Sequence, residues 1–274
     1  MKLKLAVLAL AGVFLSSCDN AVDVDEVSVE AEVEPTPVAY YEYLWCKRGE
    51  NWTMESAQSF VADWNAELDG MENTLDSAFV YVPKNSENQN FDTVWVLRFP
   101  DKAAMEKGWS TYQESGADDR LQSMHPGVVE CGNEVAENRF GFDMYSAVST
   151  PDGFGDEEPY LVQGQFCNFN EGKGPEDLTR VVRDHFVPEI EAGRANGSYS
   201  SYWFMVGAPD FESENRPDFI WMDYFANAEA MEKETGIYFG SETGNSIQAM
   251  FDEVSECTDQ NQSDGFFLRR PESL

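Results

Sequence analysis

The sequence predicts an α+β fold built from two copies of one βαββαβ unit, and two observations support this prediction. Residues 92–142 align without a gap with residues 218–268, and 15 of the 51 positions are identical. The matched positions include a run of four, Ala104–Lys107 with Ala230–Lys233. Each copy also shows the same succession of strand-like and helix-like segments. Internal duplication is therefore the main architectural prediction.

The elements of the first copy follow from hydrophobic periodicity. Tyr40–Arg48 is rich in aromatic residues and predicts a strand, and Thr53–Asp69 carries Phe60, Trp64 and Leu68 at helical spacing. The β-rich segments Thr74–Pro83 and Asp92–Phe99 are joined by a polar loop. The copy ends with a helix over Asp101–His125, interrupted near Gly116, and a strand over Arg139–Tyr145.

The second copy repeats this order after a linker, Ser146–Glu158, that contains one proline and two glycines. Its predicted elements are Tyr160–Phe169 (strand), Pro175–Ala192 (helix), Tyr199–Val206 and Asp218–Phe225 (strands), Ala228–Glu256 (helix with three glycines) and Gly265–Arg269 (strand). The predicted domains are residues 40–145 and 159–274.

This element order is that of the ferredoxin-like unit. Two such units in one chain resemble a fused version of the dimeric α/β-barrel superfamily, in which two sheets meet face to face. The resemblance covers residues 40–270 and implies an intramolecular α/β barrel and a monomer. Strand Thr93–Phe99 agrees with it, because both of its faces are largely apolar, as a sheet covered on both sides requires.

The first residues resemble a bacterial lipoprotein signal. Met1–Lys4 is basic, Leu5–Leu15 is an apolar run too short to span a bilayer, and Leu15-Ser16-Ser17-Cys18 is similar to a lipobox. The resemblance implies removal of residues 1–17 and lipidation of Cys18; the alternative is an ordinary signal peptide with a coincidental cysteine. Residues 18–39 are acidic and predict a solvated tether.

The composition and the predicted cellular location limit the possible binding partners. The formal charge of −33, from 51 acidic and 18 basic residues, opposes binding to a phosphate backbone, so no nucleic-acid partner is expected. We expect a lipid-anchored protein of the bacterial cell envelope, facing the periplasm or the exterior. Asp19 resembles an inner-membrane retention signal, but that rule varies among bacteria, and the choice of membrane stays open.

Four cysteines remain once Cys18 is lipidated. Export places them in an oxidising compartment, where disulfides persist. Three connectivities are open, and the duplication favours one bridge in each copy, Cys46–Cys131 and Cys167–Cys257. Four free thiols are the alternative. No metal site is expected, because no Cys-x-x-Cys pair or histidine cluster accompanies them.

Two residues are candidate acid–base catalysts. Asp223 lies between Trp221 and Phe225 on one predicted strand face, where burial would favour the neutral form of the carboxyl. The alternatives are exposure to solvent or an ion pair with Arg180 or Arg183. His185 is a candidate base or haem ligand, since haem binds some members of the superfamily; a surface or packing role is the alternative.

Three further residues are candidate ligand contacts. Trp95 and Trp221 are predicted to line an apolar pocket, unless they belong only to the core. Arg98 would clamp an anion or extend along the surface. The sequence has no nucleophile elbow, phosphate loop, HExxH motif or EF-hand loop, so it gives no support to a hydrolase, a nucleotide-binding protein or a metalloprotease. No cofactor is expected.

These observations leave three hypotheses for function. The preferred one is a lipoprotein that binds a small apolar or aromatic molecule in the barrel pocket, and an enzyme is disfavoured. The second is an enzyme of the cofactor-independent monooxygenase or isomerase type, with Asp223 or His185 as base. The third is a scaffold protein whose barrel is filled by side chains.

Overall fold

The computed structural model describes residues 35–84, 90–132 and 138–271. The predicted signal peptide, Cys18 and most of the tether lie outside the described residues. In the described part of the chain, no helix is long and apolar enough to cross a membrane.

Ten strands and seven α-helices form the fold of the described residues. The strands are β1 (Ala39–Arg48), β2 (Ser77–Pro83), β3 (Thr93–Phe99), β4 (Val129–Cys131), β5 (Arg139–Tyr145), β6 (Tyr160–Phe169), β7 (Trp203–Pro209), β8 (Phe219–Phe225), β9 (Ser255–Cys257) and β10 (Asn261–Arg269). The helices are α1 (Met54–Asp69), α2 (Lys102–Ser115), α3 (Ala117–Met124), α4 (Pro175–Val181), α5 (Val187–Asn196), α6 (Ala228–Gly240) and α7 (Glu242–Val254). One turn of π-helix, Val182–Phe186, joins α4 to α5.

The long strands form a closed, eight-stranded antiparallel barrel in the order β10-β2-β3-β1-β5-β7-β8-β6, with β6 pairing back to β10. The short strands β4 and β9 pair with β1 and β6. The strand order is the same in the two halves, β2-β3-β1-β5 and β7-β8-β6-β10. The α+β class and a barrel closed within one chain are thus confirmed.

Capping residues explain where the helices begin. Thr53 accepts a hydrogen bond from the backbone N–H of Ser56 at the start of α1. Asp101 and Asn227, which correspond under the 126-residue shift, accept from the N–H groups of Ala104 (2.8 Å) and Ala230 (2.9 Å) at the starts of α2 and α6. A short polar side chain at this position satisfies an N–H that has no partner within the helix.

Strand alternation divides the apolar residues among three cores. On β3, Trp95, Leu97 and Phe99 pack beneath the helices of the first half, whereas Val96 points into the barrel. On β8, Phe219 and Phe225 pack beneath the helices of the second half. Both faces of the sheet are therefore covered, as the apolar pattern of Thr93–Phe99 predicted.

The disulfides join Cys46 to Cys131 and Cys167 to Cys257, which is the pairing that the duplication favoured. In each case the two cysteines lie directly opposite each other in paired strands, β1 with β4 and β6 with β9. Each bridge therefore fastens the segment after the last helix of its half to that half's first strand.

Several boundaries differ from the sequence prediction. Strands β4 and β9 were not predicted, because three residues are too few to show a period. The helix predicted over Pro175–Ala192 contains a π-helical turn and continues to Asn196. The strand predicted from Tyr199 begins at Trp203, because the preceding backbone N–H groups bind a side chain rather than a strand. The last strand begins at Asn261, four residues earlier than predicted.

Candidate active site

A cavity of about 130 Å³ lies in the second half, between the outer face of the barrel and the helices that cover it. Strands β6 and β8 form its floor and residues of α5, α6 and α7 its cover. Most of the lining surface is apolar, and the polar residues among the described lining include Gln163, Tyr202, Trp221, Asp223, Glu234 and Tyr238. Small-molecule sites commonly combine an apolar wall with a few polar groups in this way.

Asp223 is the acid that the sequence singled out, and it is buried in this cavity with 8% of its surface exposed. The Tyr202 hydroxyl and the Trp221 indole N–H each donate to Oδ1 of Asp223 at 2.7 Å. No group in the described part of the chain donates to Oδ2. One oxygen is therefore held in place, while the other keeps its capacity to accept a proton.

Burial sets the acidity of this carboxyl. Loss of hydration raises the pKa of Asp223 to about 6, although the hydrogen bonds from Tyr202 and Trp221 act in the opposite direction. The ion pairs considered from sequence do not form, since Arg180 binds Asp177 and Arg183 binds Asp184. A carboxyl with this pKa is ionised at neutral pH and still accepts a proton readily, which suits a general base.

The two donors are themselves fixed by packing. The Trp221 ring stacks on Phe204 with centroids 4.8 Å apart, and Phe186 of the π-helical turn contacts both Trp221 and Tyr202. Burial raises the pKa of Tyr202 well above its ordinary value, so its hydroxyl stays protonated and can donate. Rotation of either ring is opposed by close-packed neighbours, and the position of Asp223 is defined by both.

Two polar atoms in the cavity lack a partner in the described structure: Oε1 of Gln163 and the hydroxyl of Tyr238. Gln163 lies directly opposite Asp223 in the β6–β8 pairing. Burial raises the pKa of Tyr238, so this hydroxyl is also a protonated donor. Buried polar groups without partners are rare in proteins, and a bound ligand or ordered water in this cavity would complete the hydrogen bonds of both atoms.

Glu234 supports the loop that carries Tyr202. This buried carboxylate on α6 accepts from the backbone N–H groups of Ser200 (3.0 Å) and Ser201 (3.1 Å). Both serine hydroxyls also donate to it. Glu234 therefore determines where Tyr202 lies, and the sequence offered no local signal of it because its partners are more than 30 residues away.

The first half contains a corresponding cavity of about 170 Å³ with different chemistry. Leu97 occupies the position of Asp223, and Glu42 that of Gln163. Glu42 is buried, and it accepts from Arg139 Nε at 3.1 Å and from the Trp109 indole. Because a guanidinium neutralises this carboxylate, Glu42 does not provide the unpaired base that Asp223 provides in the second half.

The barrel interior is filled along part of its length and open at one end. Phe154 of the predicted linker packs against Tyr160, Trp203 and Tyr224 inside the barrel. The open end holds a cavity of about 820 Å³, and none of the described residues that line it is charged. Asp223 is not inside the barrel, so the predicted barrel pocket and the candidate base are separate sites.

The other predicted site residues lie in different parts of the structure. Trp221 contacts Asp223, whereas Trp95 lines the cavity of the first half. Arg98 forms an ion pair with Asp76 and reaches neither tryptophan cavity. His185 is exposed at a surface depression beside Asp184 and Glu189 and does not approach Asp223's cavity. Only Asp223 and Trp221 belong to one site.

Sequence comparison identified no related protein: no protein-family model matches the chain, and no curated protein is significantly similar. Comparison of structures finds similar folds. A protein of Lactobacillus acidophilus provisionally named a monooxygenase is 8% identical, with 84% of this chain and 94% of that chain covered and a TM-score of 0.47. The chlorite dismutase of Candidatus Nitrospira defluvii is 9% identical (83% and 92% covered, TM-score 0.46). A haem-binding protein of Thermus thermophilus is 8% identical (85% and 92% covered, TM-score 0.48).

These comparisons correct the expected function. The preferred hypothesis, that the protein binds a small molecule and is not an enzyme, was wrong: several of the similar structures are described as monooxygenases or chlorite dismutases, which agrees with the enzyme alternative. At these identities and TM-scores the similarity concerns the fold, so the case for catalysis rests on the geometry around Asp223.

The cavities do not fit a haem. Neither histidine lines the cavity beside Asp223, the cavity of the first half or the barrel cavity. His125 binds Asp63 at 2.7 Å, and His185 lies in an open surface depression whose described lining includes three acids and no lysine or arginine. The cavity beside Asp223 is much smaller than the 300–1,000 Å³ typical of sites for larger ligands. The barrel cavity is large enough, but none of its described lining residues offers a cation to the propionates. Nor do the described residues contain a group of three acids, histidines or cysteines placed to hold a metal ion.

Proposed function

We propose that the protein is an enzyme of the cofactor-independent monooxygenase or isomerase type, and that Asp223 is its general base. The observation that carries this proposal is the asymmetric environment of the carboxylate. One oxygen is held by Tyr202 and Trp221, and the other has no donor among the described residues. A base needs such an arrangement, because the free oxygen receives the proton while the held oxygen keeps the group oriented.

The proposed step is removal of a proton from a weak carbon or phenol acid. Oδ2 of Asp223 takes the proton, and the electron pair remains on the substrate, where it delocalises onto an oxygen atom. The hydroxyl of Tyr238, which lacks a partner, is placed in the same cavity to donate to that oxygen. Fixed donors that meet developing negative charge are a main source of rate enhancement in enzymes.

Removal of a proton by Asp223 is the first step of a complete reaction in both proposed enzyme classes, the isomerases and the monooxygenases. In an isomerase, Asp223 returns the same proton to a different carbon, and no other reactant is consumed. In a monooxygenase, dioxygen is the oxidant: a CH₂ group becomes a carbonyl, and the second oxygen atom leaves as water. Both reactions begin with proton removal, so one residue serves either outcome.

The cavity limits the substrate class. A volume of about 130 Å³ accommodates roughly one benzene-sized ring, since an engineered apolar cavity of about 150 Å³ binds benzene. None of the described residues that line the cavity is basic, so an anionic substrate would find no countercharge among them. The favoured substrate is therefore small, uncharged and mostly apolar, with one enolisable or phenolic group.

Proton removal can be tested without knowing the natural substrate. The purified chain is incubated in D₂O with a panel of small cyclic ketones and phenols, and proton NMR follows the loss of exchangeable C–H signals. We expect exchange with at least one compound and a loss of about 10²-fold or more in Asp223→Asn. Asp259→Asn, which removes an exposed acid of the same half, is the matched control. Equal rates in wild type and Asp223→Asn would contradict the proposal.

We further propose that the two halves are tandem duplicated ferredoxin-like domains, residues 40–145 and 159–274, that form a monomeric barrel. The shared strand order and the ring closed by one chain support this. Sedimentation equilibrium tests the monomer: a mass near 30.9 kDa or slightly lower is expected, and twice that value would contradict it.

We also propose that the chain is exported to the cell envelope and anchored by lipid on Cys18. The signal-like start supports this, and so do two disulfides, which persist in oxidising compartments. Mass spectrometry of protein from a bacterial membrane fraction should find an acylated N-terminal Cys18. A soluble product with an unmodified Cys18 would refute the anchor.

A further inference from the structure

The cavity of the first half is separate from the site of Asp223, and its lining has a distinct pattern. Its buried part combines aliphatic side chains such as Leu44 and Leu97 with aromatic rings, among them Trp64 and Trp95, each with 7% of its surface exposed. These two rings meet edge to face with centroids 5.5 Å apart. Trp109 and Tyr112 of α2 add two half-buried rings.

The charged groups of this lining are both acidic. Asp118 is half-buried and Glu130 is exposed, so negative charge lies toward the outer part of the cavity, above the deeper aromatic rings. No lysine, arginine or histidine lines the cavity in the described part of the chain.

A cation already packs on one ring of the lining. The guanidinium of Arg139 lies over Trp109, 4.7 Å from the ring centroid, and its charge is compensated by Glu42. The ring face is electron-rich, so it attracts a positive charge and disfavours a negative one. The other rings of the cavity have the same property.

We propose that this cavity binds a small organic cation, of the tertiary or quaternary ammonium class. Aromatic rings at the base and carboxylates nearer the surface are the combination that recognises alkylated ammonium groups. The volume of about 170 Å³ suits a trimethylammonium head group. The net charge of −33 concentrates cations near the surface and repels anions. This site does not depend on the reaction proposed at Asp223.

Isothermal titration calorimetry with two probes tests whether binding in this cavity requires a positive charge on the ligand. The probes are choline and 3,3-dimethylbutan-1-ol, which has the same shape but carries carbon in place of the charged nitrogen. We expect choline to bind at least about tenfold more tightly. Equal affinity for the two probes, or no measurable binding of choline, would overturn the proposal.

Variants locate the binding site. Trp95→Leu should abolish choline binding, and because Trp95 is part of the core, the Asp118→Asn/Glu130→Gln double variant provides a second test at less buried positions. The double variant should weaken choline binding about fivefold or more and leave the alcohol unaffected. Asp223→Asn should bind choline like wild type. Loss of choline binding in Asp223→Asn, with normal binding in the double variant, would place the cation in the other half and refute the assignment.

Discussion

The stability of Asp223→Asn relative to wild type should increase with pH. The pKa of this carboxyl is raised from 3.8 to about 6 in the folded protein. Between these values the folded state binds more protons than the unfolded state, so the carboxyl's contribution to stability falls as the pH rises and becomes constant above about pH 7. The asparagine side chain does not titrate and escapes this loss.

The size of the effect follows from the shift. About two pKa units, at roughly 1.4 kcal/mol each, give a total of about 3 kcal/mol. The isoelectric point near 4.1 favours measurements away from acid pH, where the protein would lose solubility. At pH 5, wild type has already lost roughly half of this 3 kcal/mol through ionisation of Asp223. The stability of the variant minus that of wild type should therefore increase by about 1.5 kcal/mol from pH 5 to pH 8.

Urea denaturation with the disulfides intact measures this difference at both pH values. Subtracting wild type from variant removes the pH dependence of the other acids. Asp259→Asn makes the same change in charge at an exposed site, and its stability relative to wild type should change by less than about 0.5 kcal/mol over the same interval. If Asp223→Asn behaves like this control, the carboxyl does not have the raised pKa on which its role as a base depends.

Three further predictions concern other parts of the structure. Tyr238→Phe removes the unpaired donor of the cavity, and the deuterium-exchange rate should fall about 10²-fold while the melting temperature stays within a few degrees; an unchanged rate would exclude Tyr238 from the reaction. Replacing both Cys167 and Cys257 by serine opens a loop of 90 residues and should lower the free energy of unfolding by about 4 kcal/mol; a loss below about 1 kcal/mol would show that the bridge contributes little. Arg139→Met leaves Glu42 buried without its cation and should cost about 3 kcal/mol in urea denaturation, much of it recovered by adding Glu42→Gln; no recovery would mean that packing, not charge, is lost.

The sequence predicted the barrel architecture better than it predicted where individual strands and helices begin and end. The repeat at 126 residues is visible in the sequence itself, and burial on both faces of the sheet makes β1, β3, β6 and β8 nearly continuous apolar segments that are easy to recognise. Strands β4 and β9 are too short to show any period. The strand predicted from Tyr199 begins at Trp203 because Glu234, distant in sequence, binds the N–H groups of the preceding loop.

The site was predictable only in part. Asp223 was found because a lone acid on an apolar strand face is conspicuous, and Glu42, between Tyr40 and Leu44, shows the same signal and was missed. Gln163 and Tyr238 could not be found this way, since an amide on a strand and a tyrosine on a helix are ordinary. Only the fold shows that their polar atoms share a cavity with Asp223 and lack partners.

The most direct test of Asp223 as the base is the pH dependence of deuterium exchange into a reactive compound. For wild type, the rate should rise with pH, with a midpoint near 6, and level off above it, because only the ionised carboxylate accepts a proton. Asp223→Asn should lose both the rate and the inflection. A profile that rises without a midpoint near 6, or an inflection that persists in Asp223→Asn, would contradict the account.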